Sequence, residues 1–171
     1  MSVEVRSPVV IENPDGAGAF VILCDHASNR IPKEYEPFGL GDDVLSTHIA
    51  WDPGALGVSR HLSATLDAPL IWPDVSRLVI DCNRSPDAST LIVVESEGRP
   101  VPANRGLSQQ ERARRLERIH TPYHAAIEAC LKRRDEARRP TSVVAIHSFT
   151  PVFSGKARPW QIGIVFGHDR R

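Results

Sequence analysis

A chain of 171 residues with 41% hydrophobic and 25% charged residues is large enough for one domain with its own core. Lysine plus arginine and aspartate plus glutamate each number 21, so no net charge draws the chain toward nucleic acid or an anionic membrane. The N-terminus has no apolar signal core, no apolar run nears the roughly 20 residues of a membrane helix, and three cysteines without CxxC spacing do not make a disulfide framework. A soluble cytoplasmic protein with reduced, buried thiols is expected.

Phe20–Cys24 is a continuous apolar run, the pattern of a strand buried on both faces, and it ends in the polar turn Asp25-His26-Ala27-Ser28-Asn29. Pro53-Gly54 introduces a helix over Ala55–Leu66. Ala68–Trp72, Leu78–Cys82 and Thr90–Val94 have strand character, and Ser96–Leu107, rich in Gly, Pro and Asn, is a long loop. Ser108-Gln109-Gln110-Glu111 matches the S-x-x-E capping box. From there Leu116, Ile119, Tyr123, Ile127 and Leu131 recur at three- and four-residue steps on one helical face, which Pro122 should kink or divide. The Arg112–Arg118 stretch, interleaved with Glu, predicts a solvated face, and His120 and His124 are expected on the helix surface. Val143–Ile146 predicts another buried strand, ending at His147, and Trp160–Phe166 a last one. Strands alternating with helices predict a single domain over 1–171, an α/β three-layer sandwich with a mostly parallel sheet. A sheet that ends on the Trp160–Phe166 strand without a covering helix predicts C-terminal incompleteness.

Four polar clusters carry the chemistry. His26 ends a strand, where a neutral imidazole can bind a metal with a neighbouring carboxylate fixing its tautomer. Asp52, before Pro53-Gly54, is either the N-cap of the helix that follows or the carboxylate of a His, His, carboxylate zinc site. Arg77, Asp81, Asn83 and Arg84 flank the next apolar run, and Arg84 offers a bidentate fork for a substrate carboxylate. His147 ends a second strand, so that it and His26 form a candidate metal pair at the carboxyl edge of the sheet, where ligands of open α/β sheets bind.

The blocks CDHASNRIP, HIAWDPGA, SRLVIDCNRSP and AIHSFTP, in this order, resemble those of N-formylglutamate amidohydrolases, from about Val9 to the end of the chain. That resemblance implies a phosphorylase/hydrolase-like α/β fold, akin to zinc carboxypeptidases and aspartoacylases. It implies hydrolysis of N-formyl-L-glutamate to formate and L-glutamate in histidine breakdown, with one Zn2+ ion. Carried over, His26 and His147 are metal ligands. Asn29 stands where the zinc carboxypeptidases place a Glu, so Asp52 is taken as the third ligand, with Asn29 and Asp25 as alternatives. Arg77 takes the oxyanion role, and Asn83 and Arg84 grip the substrate α-carboxylate. Family members are longer, and in related hydrolases the general base lies in the C-terminal part. A deacylase of another N-acyl amino acid, or a non-catalytic metal- or amino-acid-binding module, therefore stands beside the amidohydrolase reading.

Overall fold

A computed structural model describes residues 7–153 and 155–166. In chain order the elements are β1 (Val9–Glu12), β2 (Phe20–Leu23), α1 (Asp42–Leu45), α2 (Ala55–Leu66), β3 (Leu70–Pro73), β4 (Glu95–Ser96), β5 (Arg99–Pro100), α3 (Gln109–Arg115), α4 (Thr121–Glu136), β6 (Ser142–Ala145), β7 (Val152–Phe153) and β8 (Lys156–Ala157). The main sheet has the order β1-β3-β2-β6. β2 runs parallel to both β3 and β6, and β1 pairs antiparallel with β3 at the edge.

The period of two along β2 and β3 decides how the layers form. Val21, Leu23 and Ile71 face one core cluster, which includes Ile119 and Tyr123 from the α4 side. Ile22, Cys24, Leu70 and Trp72 face the other, shared with Ala55 of α2. α2 packs on β2 and β3 while α4 packs on β3 and β1, so the sheet is sandwiched between helices. All three cysteines are buried as free thiols.

Helix boundaries follow their local chemistry. Ser108 Oγ accepts the Glu111 amide at 3.1 Å and starts α3, but the Glu111 carboxylate turns to Arg114 and Arg115 instead of completing the box. The long helix runs on without a break: a π turn over Leu116–His120 widens it just before Pro122, which sits in the first turn of α4. The 96–107 loop carries the β4–β5 ribbon, whose two-residue turn puts Glu97 (φ 49°) and Gly98 (φ 75°) in the left-handed region of a type I′ turn.

Five expectations need correction. Leu78–Cys82 is buried irregular chain and Thr90–Val94 an irregular segment buried at Leu91 and Ile92; neither is a strand. Their apolar runs are buried without a ladder because side chains satisfy the backbone: Asn104 Nδ2 donates to the Leu78 carbonyl at 2.8 Å and the Val93 carbonyl at 2.7 Å, and Arg115 donates to the Val79 carbonyl at 3.0 Å. Arg115 is therefore buried, not part of a solvated face. β6 forms where expected but as an exposed edge strand, since the helices cover the other end of the sheet. Residues 160–166 run without regular structure and exposed, with Val165 99% accessible, because nothing described pairs with them.

Asn104 is 2% exposed and satisfies three buried groups at once, the carbonyls of Leu78 and Val93 and the Arg115 guanidinium. Asn104→Ala should cost about 3 kcal/mol of unfolding free energy, since each orphaned buried group costs roughly 1–3 kcal/mol. Urea denaturation that finds a loss below about 1 kcal/mol would contradict this account of the 78–93 segment.

Candidate metal centre

The carboxyl ends of the parallel neighbours β2 and β6 bring His26 and His147 together, with ring centroids 5.0 Å apart. Asp52 reaches the same point through a tight turn. The Ala55 amide bonds to the Asp52 carbonyl at 3.1 Å, with Pro53 second and Gly54 third at φ 84°, the arrangement of a type II turn that favours glycine there. The Asp52 side chain does not cap α2: the residue before that helix is Gly54, and no side chain caps it. The Asp52 amide instead donates to the His26 carbonyl at 2.9 Å, and its carboxylate turns to the histidines.

One ligand-type atom from each of His26, Asp52 and His147 lies within 4.8 Å of the others, a candidate site for a metal ion. His26 is 3% exposed, and its Nε2 lies 2.7 Å from Asp81 Oδ1. An ionised carboxylate only accepts, so Nε2 carries the proton and Nδ1 of the neutral ring keeps its lone pair. That Nδ1 is buried, makes no hydrogen bond, and lies 3.4 Å from Asp52 Oδ2. A cation-seeking lone pair facing a carboxylate is a donor set that fits a divalent ion. His147 Nδ1 is 2.8 Å from Asp52 Oδ2, and its Nε2 is 3.3 Å from Asp25 Oδ2 and 3.4 Å from Asn83 Nδ2.

Arg77 spans the cluster, donating to Asp81 Oδ2 at 2.9 Å and standing 3.7 Å from Asp52 Oδ1. Arg84 is farther out, 4.0 Å from Asp81 Oδ2. Asn29 is engaged elsewhere, donating to the Leu45 carbonyl at 2.9 Å. The sequence-derived residues His26, Asp52, Arg77, Asn83, Arg84 and His147 thus meet in one place, and Asn29 does not join them.

Three carboxylates, Asp25, Asp52 and Asp81, outweigh Arg77 and Arg84, and the protonation of the cluster reflects that field. Hydrogen bonds to Asp25 and then Asp52 raise the His147 pKa to about 9 against the burial that opposes them. Burial works against a charged His26, yet Asp52 and Asp81 outweigh it and raise its pKa. Burial also opposes ionisation of Asp81, but the His26 contact and Arg77 hold its pKa at about 2, and the two imidazoles hold Asp52 far below the carboxylate range. The negative field that favours a proton on His147 favours a divalent cation in the same place. Cys24, by contrast, is pushed up to about 11 by burial and stays a thiol.

Residues assigned no definite role from sequence also belong to the site. Asp81, grouped by sequence with Arg77, Asn83 and Arg84, orients His26. Asp25 is held by Tyr123, whose hydroxyl donates to Oδ1 at 2.8 Å from α4. The helical spacing marked Tyr123 only as part of an apolar face; the signal for more was its hydroxyl, which a buried position obliges to find a partner. His120 is 5% exposed, a correction to its expected surface place, and with His124 it bonds to backbone carbonyls outside the cluster. A cavity of about 370 Å3 adjoins the cluster at Asp52 and Arg77, and a His48–Glu97 hydrogen bond (3.0 Å) joins two of its walls.

Tyr123→Phe should lower stability by about 2 kcal/mol, because it strips a hydrogen bond from a buried carboxylate. In Asp25→Asn the same change should cost markedly less, and additive losses in that double-mutant cycle would contradict the Tyr123–Asp25 link.

No curated protein matches the chain. Among solved structures, a gene product of Agrobacterium tumefaciens is 42% identical, superposes with a TM-score of 0.87, and is covered over 61% of its length by 90% of this chain. An N-formylglutamate amidohydrolase from Ralstonia eutropha, 21% identical with a TM-score of 0.65, shares the fold over 84% of this chain and 58% of its own. The chain thus spans about three fifths of the length of these neighbours. Residues 18–171 match the family model for N-formylglutamate amidohydrolases, and the chain belongs to that family.

Proposed function

We propose that this chain carries the metal centre of a zinc-dependent hydrolase that cleaves N-formyl-L-glutamate to formate and L-glutamate, in the cytoplasmic breakdown of histidine. The observation that carries this reading is the convergence of His26, Asp52 and His147 in a chain of the N-formylglutamate amidohydrolase family. In the reaction, water adds to the formyl carbon, the carbon–nitrogen bond breaks, and the nitrogen leaves as the amine of glutamate with a proton.

His26 Nδ1, the Asp52 carboxylate and His147 would hold the ion, with Asp81 fixing the His26 tautomer. A zinc ion bound there supplies Lewis acidity and lowers the pKa of water toward neutrality. Arg77 is tethered to Asp81 and Asp52 yet partly open to the adjoining cavity, which suits it to stabilise the oxyanion. Arg84 and Asn83, on the turn after Asp81, take the α-carboxylate of the substrate; the Arg84 side chain is 44% exposed and only loosely held, 4.0 Å from Asp81. The Asn83 amide donates to Asp81 Oδ1 at 2.9 Å, so the carboxylate that orients His26 also sets the start of the substrate-gripping turn.

The test is formate release from N-formyl-L-glutamate, with N-acetyl-L-glutamate as comparison, before and after chelation. Zinc-restorable release, lost in His26→Ala and His147→Ala, is expected. Arg84→Ala should raise KM roughly tenfold or more with a smaller effect on kcat, as removal of a ground-state contact does. Release that survives complete metal removal contradicts the metal reading, and preference for the acetyl compound makes the protein a deacylase of another class. Zinc-loaded protein that releases neither acid contradicts the hydrolase reading.

A further inference from the structure

The turn that bears Asn83 and Arg84 has no strand partner, and one helix holds it. Along α3, the π turn and α4, four side chains donate to its backbone and that of its flanks. Arg115 reaches the Val79 carbonyl at 3.0 Å, His124 the Cys82 carbonyl at 3.0 Å, His120 the Arg84 carbonyl at 2.9 Å, and Arg112 the Ala88 carbonyl at 3.0 Å. A carbonyl can only accept, so both imidazoles present Nε2–H. Burial lowers the His120 pKa, which keeps that ring a neutral donor.

These residues do not share a face in a straight α-helix. At about 100° per residue, five steps from Arg115 to His120 leave them roughly 140° apart. The Thr121 amide bonds to the Leu116 carbonyl, five residues back, and this π turn adds an extra residue between Arg115 and His120, whose side chains both donate to the 79–84 segment. His124 then follows one ordinary turn later, its ring centroid 4.3 Å from that of His120.

We propose that the Leu116–His120 π turn is a registering device and that His120 is a positioning residue, which sets the Asn83–Arg84 turn against the metal cluster for substrate binding. The functional part rests on the assignment of Asn83 and Arg84 to the substrate carboxylate. His120 touches neither substrate nor metal in this scheme; it acts through the Arg84 carbonyl.

The test compares His120→Ala with His120→Gln, whose amide nitrogen can take the place of Nε2. In the full chain, His120→Ala should speed amide exchange at Asn83 and Arg84 by about tenfold or more, the scale of one lost hydrogen bond, while β2 and β3 amides stay protected. It should also raise KM for N-formyl-L-glutamate, or the dissociation constant measured by calorimetry, by about tenfold with zinc stoichiometry unchanged. His120→Gln should restore most of both. Unchanged exchange at Asn83 and Arg84 in His120→Ala overturns the positioning role whatever the ligand. Faster exchange with unchanged substrate affinity also overturns it, leaving His120 a purely structural clamp. Faster local exchange in a protein whose wild type binds no N-formyl-L-glutamate upholds the registering role and overturns the substrate assignment instead.

Discussion

The structure depends on one buried imidazole, His26, held between the carboxylates of Asp81 and Asp52. A ring that is 3% exposed cannot sit among three aspartates without fixed partners, because each unpaired buried charge would cost several kcal/mol. Asp81 accepts the hydrogen bond of Nε2–H, Arg77 balances Asp81, and Asp52 faces the remaining nitrogen. Asp52 and the Arg77–Asp81 pair come from two different segments, so this single constraint ties the end of β2, the turn before α2, and the 76–84 segment to one another. Ser76 reinforces the arrangement, donating to the Ala50 carbonyl while its amide bonds to the Arg30 carbonyl.

The same economy explains how irregular chain is tolerated in the interior. Residues 78–82 are buried, yet the carbonyls of the 78–84 segment meet Asn104, Arg115, His120 and His124 rather than a neighbouring strand. Side-chain donors allow a conformation that a sheet ladder would not, and that conformation turns Asp81 toward His26 and Asn83 toward His147. Fold and site therefore share their hydrogen bonds, and changes in the helix donors should be felt at the Asn83–Arg84 turn beside the metal cluster.

Much of this was legible in the residues. The apolar run of β2 with a polar exit, the helix at Ala55–Leu66 and the Ser108 cap all follow from local pattern. His26, Asp52, Arg77, Asn83, Arg84 and His147 stood out because polar residues crowd the ends of apolar runs. What escaped was set by long-range geometry. Leu78–Cys82 has the composition of a strand, and only the donors Asn104 and Arg115, 26 and 36 residues away in the pairs they make, turn it into a loop. Val143–Ile146 reads as buried by composition, but a place at the sheet edge is decided by topology, not by its own residues. His120 looked like a surface histidine because the π turn that rotates it inward leaves no simple mark on a 3.6-residue period.

The central claim is that His26, Asp52 and His147 form one metal site. X-ray absorption at the zinc edge of the zinc-loaded chain, with the metal content measured on the same sample, tests it most directly. One zinc per chain, with the outer-shell scattering of two imidazoles and light-atom ligands at the roughly 2.0–2.2 Å of nitrogen and oxygen, is the predicted result. Substoichiometric zinc, a shell dominated by sulfur, or a spectrum without imidazole scattering would contradict it.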